Sequence, residues 1–136
     1  MLTHPVRTIS VSIDCSPERV YAFASDPRNF PQWTSSFVTS VRQEQGEWIL
    51  STSEGEFKVR FTEKNPFGIL DHVVTVAPGV EVKVPLRVIA NGAGSEVIFT
   101  LFQLPSMSAD KFAADAAMVE QDLNSLKRLL EEKVLA

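Results

Sequence analysis

The sequence predicts an α+β fold: a curved antiparallel sheet of about seven strands around a long C-terminal helix, with two short helices between the first and second strands. Three observations carry this expectation. Apolar and polar residues alternate from Arg7 to Asp14, and again in several runs between Phe37 and Leu104, which is the period of half-buried strands. The turn dipeptides Gln45-Gly46, Glu54-Gly55, Pro78-Gly79 and Asn91-Gly92 divide the second stretch into an antiparallel meander. From Met107 to Ala136 the apolar spacing changes to three and four, the period of a helix.

In the first strand Ile9, Val11 and Ile13 share one face and Thr8, Ser10 and Ser12 the other. The segment "CSPERVYAFASDP" then carries helix signals: Ser16 as N-cap, Pro17 at the first helical position and Asp26-Pro27 as the stop. "NFPQWTSSF" predicts a second short helix, capped by Asn29, with Phe30 and Trp33 turned inward. A two-residue Gln45-Gly46 loop aligns Val41 with Leu50. A Glu54-Gly55 loop sets Thr52, Leu50 and Trp48 opposite Phe57, Val59 and Phe61, leaving Ser51 and Ile49 opposite Lys58 and Arg60. An Asn91-Gly92 loop aligns Val82, Val84 and Leu86 with Leu101, Phe99 and Val97. The last helix starts at Ser108, with Asp110 near its positive end. Its stripe of Phe112, Ala116, Val119, Leu123, Leu126 and Leu130 must lie on something apolar.

A chain of 136 residues fits one domain, 1–136, that can bury a substantial core, and its 44% hydrophobic and 22% charged residues are ordinary globular usage. A net charge of −4 argues against nucleic-acid binding, which needs a basic stripe, and Lys58 and Arg60 read as a solvated strand face. Cys15 has no disulfide partner. With His4 and His72 far apart no zinc pattern is available, so no metal and no cofactor is expected. Cys15 precedes a helix start, which can activate a thiol, but no histidine accompanies it and a structural role is expected. "MLTHPVRTIS" lacks the layout of a signal peptide, and no apolar run approaches the ~18 residues that span a bilayer. The expectation is a cytoplasmic protein without membrane insertion. "NGAGS" joins two strands and opens no helix, so its G-x-G is not a phosphate cradle.

The stretch "DHVVTV", Asp71 to Val76, sets a carboxylate beside an imidazole. Neighbours on a regular strand point to opposite faces, so the two form no dyad. Whether His72 faces inward depends on the next turn. A two-residue Pro78-Gly79 loop sends His72 outward with Glu81, Lys83 and Arg87. A three-residue Ala77-Pro78-Gly79 loop, with Gly79 left-handed, pairs Val76 with Val80 and turns His72 inward opposite Val84. The longer loop is preferred because it gathers Leu70, Val74, Val76, Val80, Val82, Val84 and Leu86 on one face. An inward His72 is then a neutral core histidine, a hydrogen-bonding anchor for a ligand, or a proton shuttle near neutral pH.

On these registers the inner wall comprises Trp48, Leu50, Phe57, Val59, Phe61, Val74, Val82, Val84, Val97, Phe99 and Leu101, broken by His72, Thr52, Gln43 and Gln103. That is an apolar lining with a few polar markers. Tyr21 and Trp33 could gate it or offer a hydroxyl and an indole N–H, although core packing is the simpler role for each. Ile98, Phe102 and Ile49 fall on outer faces, where a cluster would favour a homodimer.

Order and residues together, notably "SPERVYAFASDPRNFPQW", "GILDHVV" and "NGAGSEVIFTLF", resemble the START/Bet v1-like superfamily, also called SRPBCC or polyketide cyclase/dehydrase-like. The resemblance implies a helix-grip fold enclosing a cavity between sheet and long helix for lipids, sterols, polyketides or other apolar molecules. The first expectation is therefore a protein that binds a small hydrophobic or aromatic metabolite, anchored at His72. The ligand contacts would come from Trp48, Leu50, Phe57, Val59, Phe61, Val74, Val84, Phe99, Leu101, Gln103, Tyr21 and Trp33. Two alternatives stay open: a cyclase or aromatase-like enzyme using His72 as acid/base, and a protein-interaction module with a filled interior.

Overall fold

The computed structural model describes residues 2–135, with side chains through Glu132. β1 (Val6–Ile13) leads into α1 (Pro17–Ala24), a 3₁₀ turn (Pro27–Asn29) and α2 (Phe30–Trp33). Seven strands follow: β2 (Val38–Glu44), β3 (Glu47–Thr52), β4 (Gly55–Phe61), β5 (His72–Ala77), β6 (Val80–Val84), β7 (Leu86–Asn91) and β8 (Gly94–Phe102); then comes α3 (Ala109–Leu135). This is the expected α+β helix-grip order.

Local chemistry sets the helix starts. Ser16 Oγ accepts from Arg19 N, Asp26 Oδ1 from Arg28 N, and Ser108 Oγ from Lys111 N. Asn29 stands at the start of α2 but caps no backbone N–H there; its Nδ2 donates back to Phe23 O at 3.0 Å.

The meander divides in two, as β2-β3-β4-β5-β6 and β1-β8-β7. Pro85, which has no N–H to give a ladder, separates β6 from β7, so the expected pairing of Val82 and Val84 with β8 does not form. The sheets stay joined where Ile69 bridges Arg87 and where Leu70 N and Val88 N donate to Leu86 O and Gly68 O. α3 packs mainly on β1, burying Ala116, Leu123, Leu126 and Leu130, while Phe112 and Val119 are half-buried. Each buried leucine contributes at most ~1.5–3 kcal/mol. Glu131 accepts from Asp14 N at 2.9 Å, and Lys127 donates to Ser12 O at 2.8 Å, tying the helix to the end of β1.

The hairpins keep the expected faces and change several loops. Val41 faces Leu50 across a turn with Gln45 and Gly46 both at positive φ, as a tight hairpin requires. The next turn is Ser53-Glu54 rather than Glu54-Gly55, so Thr52 pairs with Gly55, Leu50 with Phe57 and Trp48 with Val59. Thr52 is the reason: its hydroxyl accepts from Glu54 N at 3.1 Å and donates to Gly55 O at 2.7 Å. The β7–β8 turn likewise moves to Gly92-Ala93, pairing Val88 with Val97 and Leu86 with Phe99. Both slips are of two residues, which leaves every side chain on its side.

At the decisive hairpin the tip is the two-residue Pro78-Gly79, with Gly79 at φ +75, the proline-glycine form of a type II turn. Ala77 pairs with Val80, and Val76 is an extra residue bulged between Thr75 and Ala77. The bulge supplies the residue that the longer loop was to provide, so His72 still lies opposite Val84. Val76 and Val80, expected on the apolar face, are 37% and 47% exposed.

Ile49, expected to be exposed, is buried although it faces outward. Arg42 and Lys58 flank it across the ladder, and their ion pairs with Glu56 and Glu47 hold their stems over it. On the outer face of the other sheet Phe102 lies opposite Val6 and Ile98 opposite Ser10, with a Thr8–Thr100 pair between them. Among the described residues no helix is long and apolar enough to cross a membrane.

Candidate functional site

His72 opens β5, and its ring stands 5.5 Å from that of Phe61 and 6.4 Å from that of Phe30, centroid to centroid. Nδ1 lies 3.0 Å from Leu70 O. Donation from Nδ1 to that carbonyl selects the tautomer whose Nε2 is an acceptor. Burial pulls its pKa below 6.5, against the weaker opposing pull of the Leu70 carbonyl and Asp71, so the imidazole is neutral near pH 7. Asp71 points away, as strand geometry requires. Its carboxylate accepts from Leu86 N and from Arg87 Nε and Nη2 at 2.7–2.9 Å. The Arg87 guanidinium holds it below the usual carboxylate range, and the pair clamps the chain just beyond Pro85.

The wall residues divide. Leu50, Phe57, Val59 and Val97 are buried, whereas Trp48, Phe61, Val74, Val82, Val84, Phe99 and Leu101 are half-buried. Phe30 meets Trp33 and Phe61 edge-on at 5.6 and 5.4 Å, and Phe57 stacks on Phe37 at 5.9 Å. The Phe30 contacts pack α2 onto the end of β4. Gln103 braces the link to α3, its Nε2 donating to Met107 O at 3.0 Å. Trp33 is 3% exposed, and its Nε1 is the buried side-chain nitrogen or oxygen without a partner among the described residues. Such an orphaned donor costs ~1–3 kcal/mol.

A cleft of about 570 Å³ opens between α1, the 3₁₀ turn and the ends of β2 to β4. Tyr21, Trp48, Phe61 and Leu70 form its apolar lining, with Gln43 among its polar groups. It brings together Tyr21, Trp48 and Phe61 from the expected site, and lies beside α1, whereas the expected cavity lies between the sheet and α3. His72 is outside this lining; with Phe61, Val84 and Pro85 it borders a separate, smaller opening of about 260 Å³. The β4–β5 connection completes the rim. There Asn65 Oδ1 accepts from Phe67 N and Ile69 N, Asn65 N donates to the Tyr21 hydroxyl, and Lys64 Nζ donates to Ser25 Oγ at 2.6 Å. Lys64, Ser25 and Asn65 escaped the sequence reading; the only signal was the turn-rich "KNPFG" between two strands.

Asp122 was also missed. It sits half-buried on α3, beside the apolar stripe, and its Oδ1 accepts from Ser36 Oγ at 2.6 Å and Ser36 N at 3.4 Å. Burial raises its pKa to about 6, although the Ser36 hydrogen bonds pull the other way.

Sheets closed by a long C-terminal helix, with two short helices after the first strand, define a START/Bet v1-like protein. The chain belongs to the polyketide cyclase/dehydrase and lipid transport family, whose profile matches residues 6–131. Among solved structures it is similar to XoxI from Bacillus cereus, with a TM-score of 0.74 and 17% identity over 92% of this chain and 94% of that one. The Aha1 dimer from Colwellia psychrerythraea gives 0.73 and 14%, over 93% and 96%. A START superfamily protein from Mycobacterium smegmatis gives 0.66 and 13%, over 93% and 97%. At these identities the likeness shows the fold alone. No curated protein matches the chain.

Proposed function

We propose that this protein binds a small apolar or aromatic molecule on the inner side of the sheet, reached through the cleft beside Tyr21. The meeting of Tyr21, Trp48 and Phe61, from three elements, around an open volume of about 570 Å³ carries this reading. Such sites are concave, mainly apolar and marked by a few polar groups. The family description, which includes lipid transport, fits that chemistry. His72 is a second anchor in this reading, its ring 5.5 Å from that of Phe61 and its Nε2 meeting a ligand acid or hydroxyl once Phe61 turns aside. The test is native mass spectrometry of the purified protein with denaturing extraction. A stoichiometric apolar passenger supports the proposal. An empty protein that also takes up no hydrophobic fluorophore overturns it in favour of an interaction module.

A cyclase or aromatase-like activity is the second reading, favoured by one observation: a neutral imidazole held in a single tautomer is the state of a general base. His72→Ala separates the two. A binder loses at most ~0.5–1.5 kcal/mol of affinity, while an enzyme loses ~10²–10⁴-fold in turnover on the identified molecule. Self-association through the Val6–Phe102 end of the outer sheet face belongs to the proposal as well. Sedimentation across a wide concentration range reads it, and a mass that stays monomeric removes it.

A further inference from the structure

The charges lining the cleft are not all neutralised there. Arg28 is taken up by Asp26: Nε and Nη2 donate to the two carboxylate oxygens at 3.0 and 2.8 Å, and Oδ1 also accepts from Arg28 N. Among the described residues Lys64 forms no ion pair, whereas seven other basic side chains of this net-negative chain do. Asp26 feels its charge at longer range but gives both oxygens to Arg28, and the exposed Glu63 on the same rim makes no bridge to it.

Lys64 is nevertheless held in place. Its ammonium donates to Ser25 Oγ at 2.6 Å and stands 5.4 Å from the centroid of the Tyr21 ring, drawn across the cleft mouth by a neutral hydroxyl and an aromatic face. An ammonium has three donors, and Ser25 engages one. The Tyr21 hydroxyl accepts from Asn65 N at 3.0 Å, which leaves its own hydrogen to give. A cation and a hydroxyl donor thus border a wall made by Trp48 and Phe61.

We propose that the molecule bound in this cleft is an aromatic or apolar acid, whose anionic group is taken by Lys64 with the Tyr21 hydroxyl beside it. This rests on the binding reading above and narrows it to one ligand class. A charge-assisted hydrogen bond at a partly wet rim gives a preference of about tenfold over a neutral analogue.

The experiment is a fluorescence titration of the full chain with two probes that share a ring system, anilinonaphthalene sulfonate and its uncharged parent phenyl-naphthylamine. The wild type binds the sulfonate about tenfold tighter. Lys64→Met brings the two affinities together and so abolishes that preference, while Arg19→Met, an exposed cation outside the lining, alters neither affinity. Because Lys64 is exposed, a thermal melt of the variant matching wild type establishes that it is folded. A preference that survives in Lys64→Met, or is absent in the wild type, overturns the anion assignment and leaves the binding reading standing. If neither probe binds, or if Trp48→Ala changes neither affinity, the binding reading fails and takes this inference with it.

Discussion

Asp122 carries a charge that its surroundings disfavour, and the sign of the consequence follows from linkage. Its pKa is about 6 in the fold against 3.8 ordinarily, so between those values the folded protein holds a proton that the unfolded chain releases. The stability from the neutral carboxyl is full below 3.8 and lost as pH rises through about 6. Asp122→Asn keeps a carbonyl for Ser36 and removes the charge. Its melting temperature should exceed that of wild type at about pH 7.5, with the gap closing by about pH 4. Melts across that range check it, and a gap independent of pH would mean that the carboxylate is solvated. His72 has the opposite sign: its lowered pKa gives stability present above 6.5 and lost as pH falls. Strand alternation showed that His72 and Asp71 diverge. It could not show that Phe61 would line the cleft while His72 stays outside it, because ring packing depends on α2, which arrives from elsewhere in the chain.

Glycines separate the elements that turn freely from those that are pinned. Gly68 and Gly79 have nearly the same φ, +72 and +75, yet a Cβ on Gly68 would lie 2.1 Å from Val88 O, and one on Gly79 meets nothing within 4 Å. Gly79→Ala should lose ~1 kcal/mol, the left-handed penalty alone. Gly68→Ala should lose more than ~3 kcal/mol, since it also forces apart the backbone that joins the two sheets. Urea unfolding reads both, and equal losses would mean that the 68–70 segment is not seated on β7. The hairpin faces were legible because a two-residue slip preserves them. The loop positions were not. The Thr52 hydroxyl sets one; at the other, Gly94 begins β8 so close to β1 that a Cβ would meet Ile13 O at 2.7 Å.

At the scale of the molecule, a ligand that binds only the folded chain must raise its melting temperature by mass action. At a hundredfold excess over Kd the gain is ~2.7 kcal/mol, roughly 8 °C for a chain of this size. Thermal melts with the naphthalene sulfonate probe should show that rise in wild type and lose most of it in Trp48→Ala. A melting temperature unmoved at saturation would place the probe off the native cleft. The order of elements and the faces of the hairpin strands were determined by the sequence alone, since periods of two and 3.6 and the chemistry of glycine and proline act within a few residues. Only tertiary structure decided that Pro85 splits the sheet, that a bulge at Val76 turns His72 inward, and that the cleft opens beside α1. The physical reason is distance along the chain. Lys64 meets Ser25 across 39 residues and Asp122 meets Ser36 across 86, and no local pattern encodes which distant side chains a folded path will bring together.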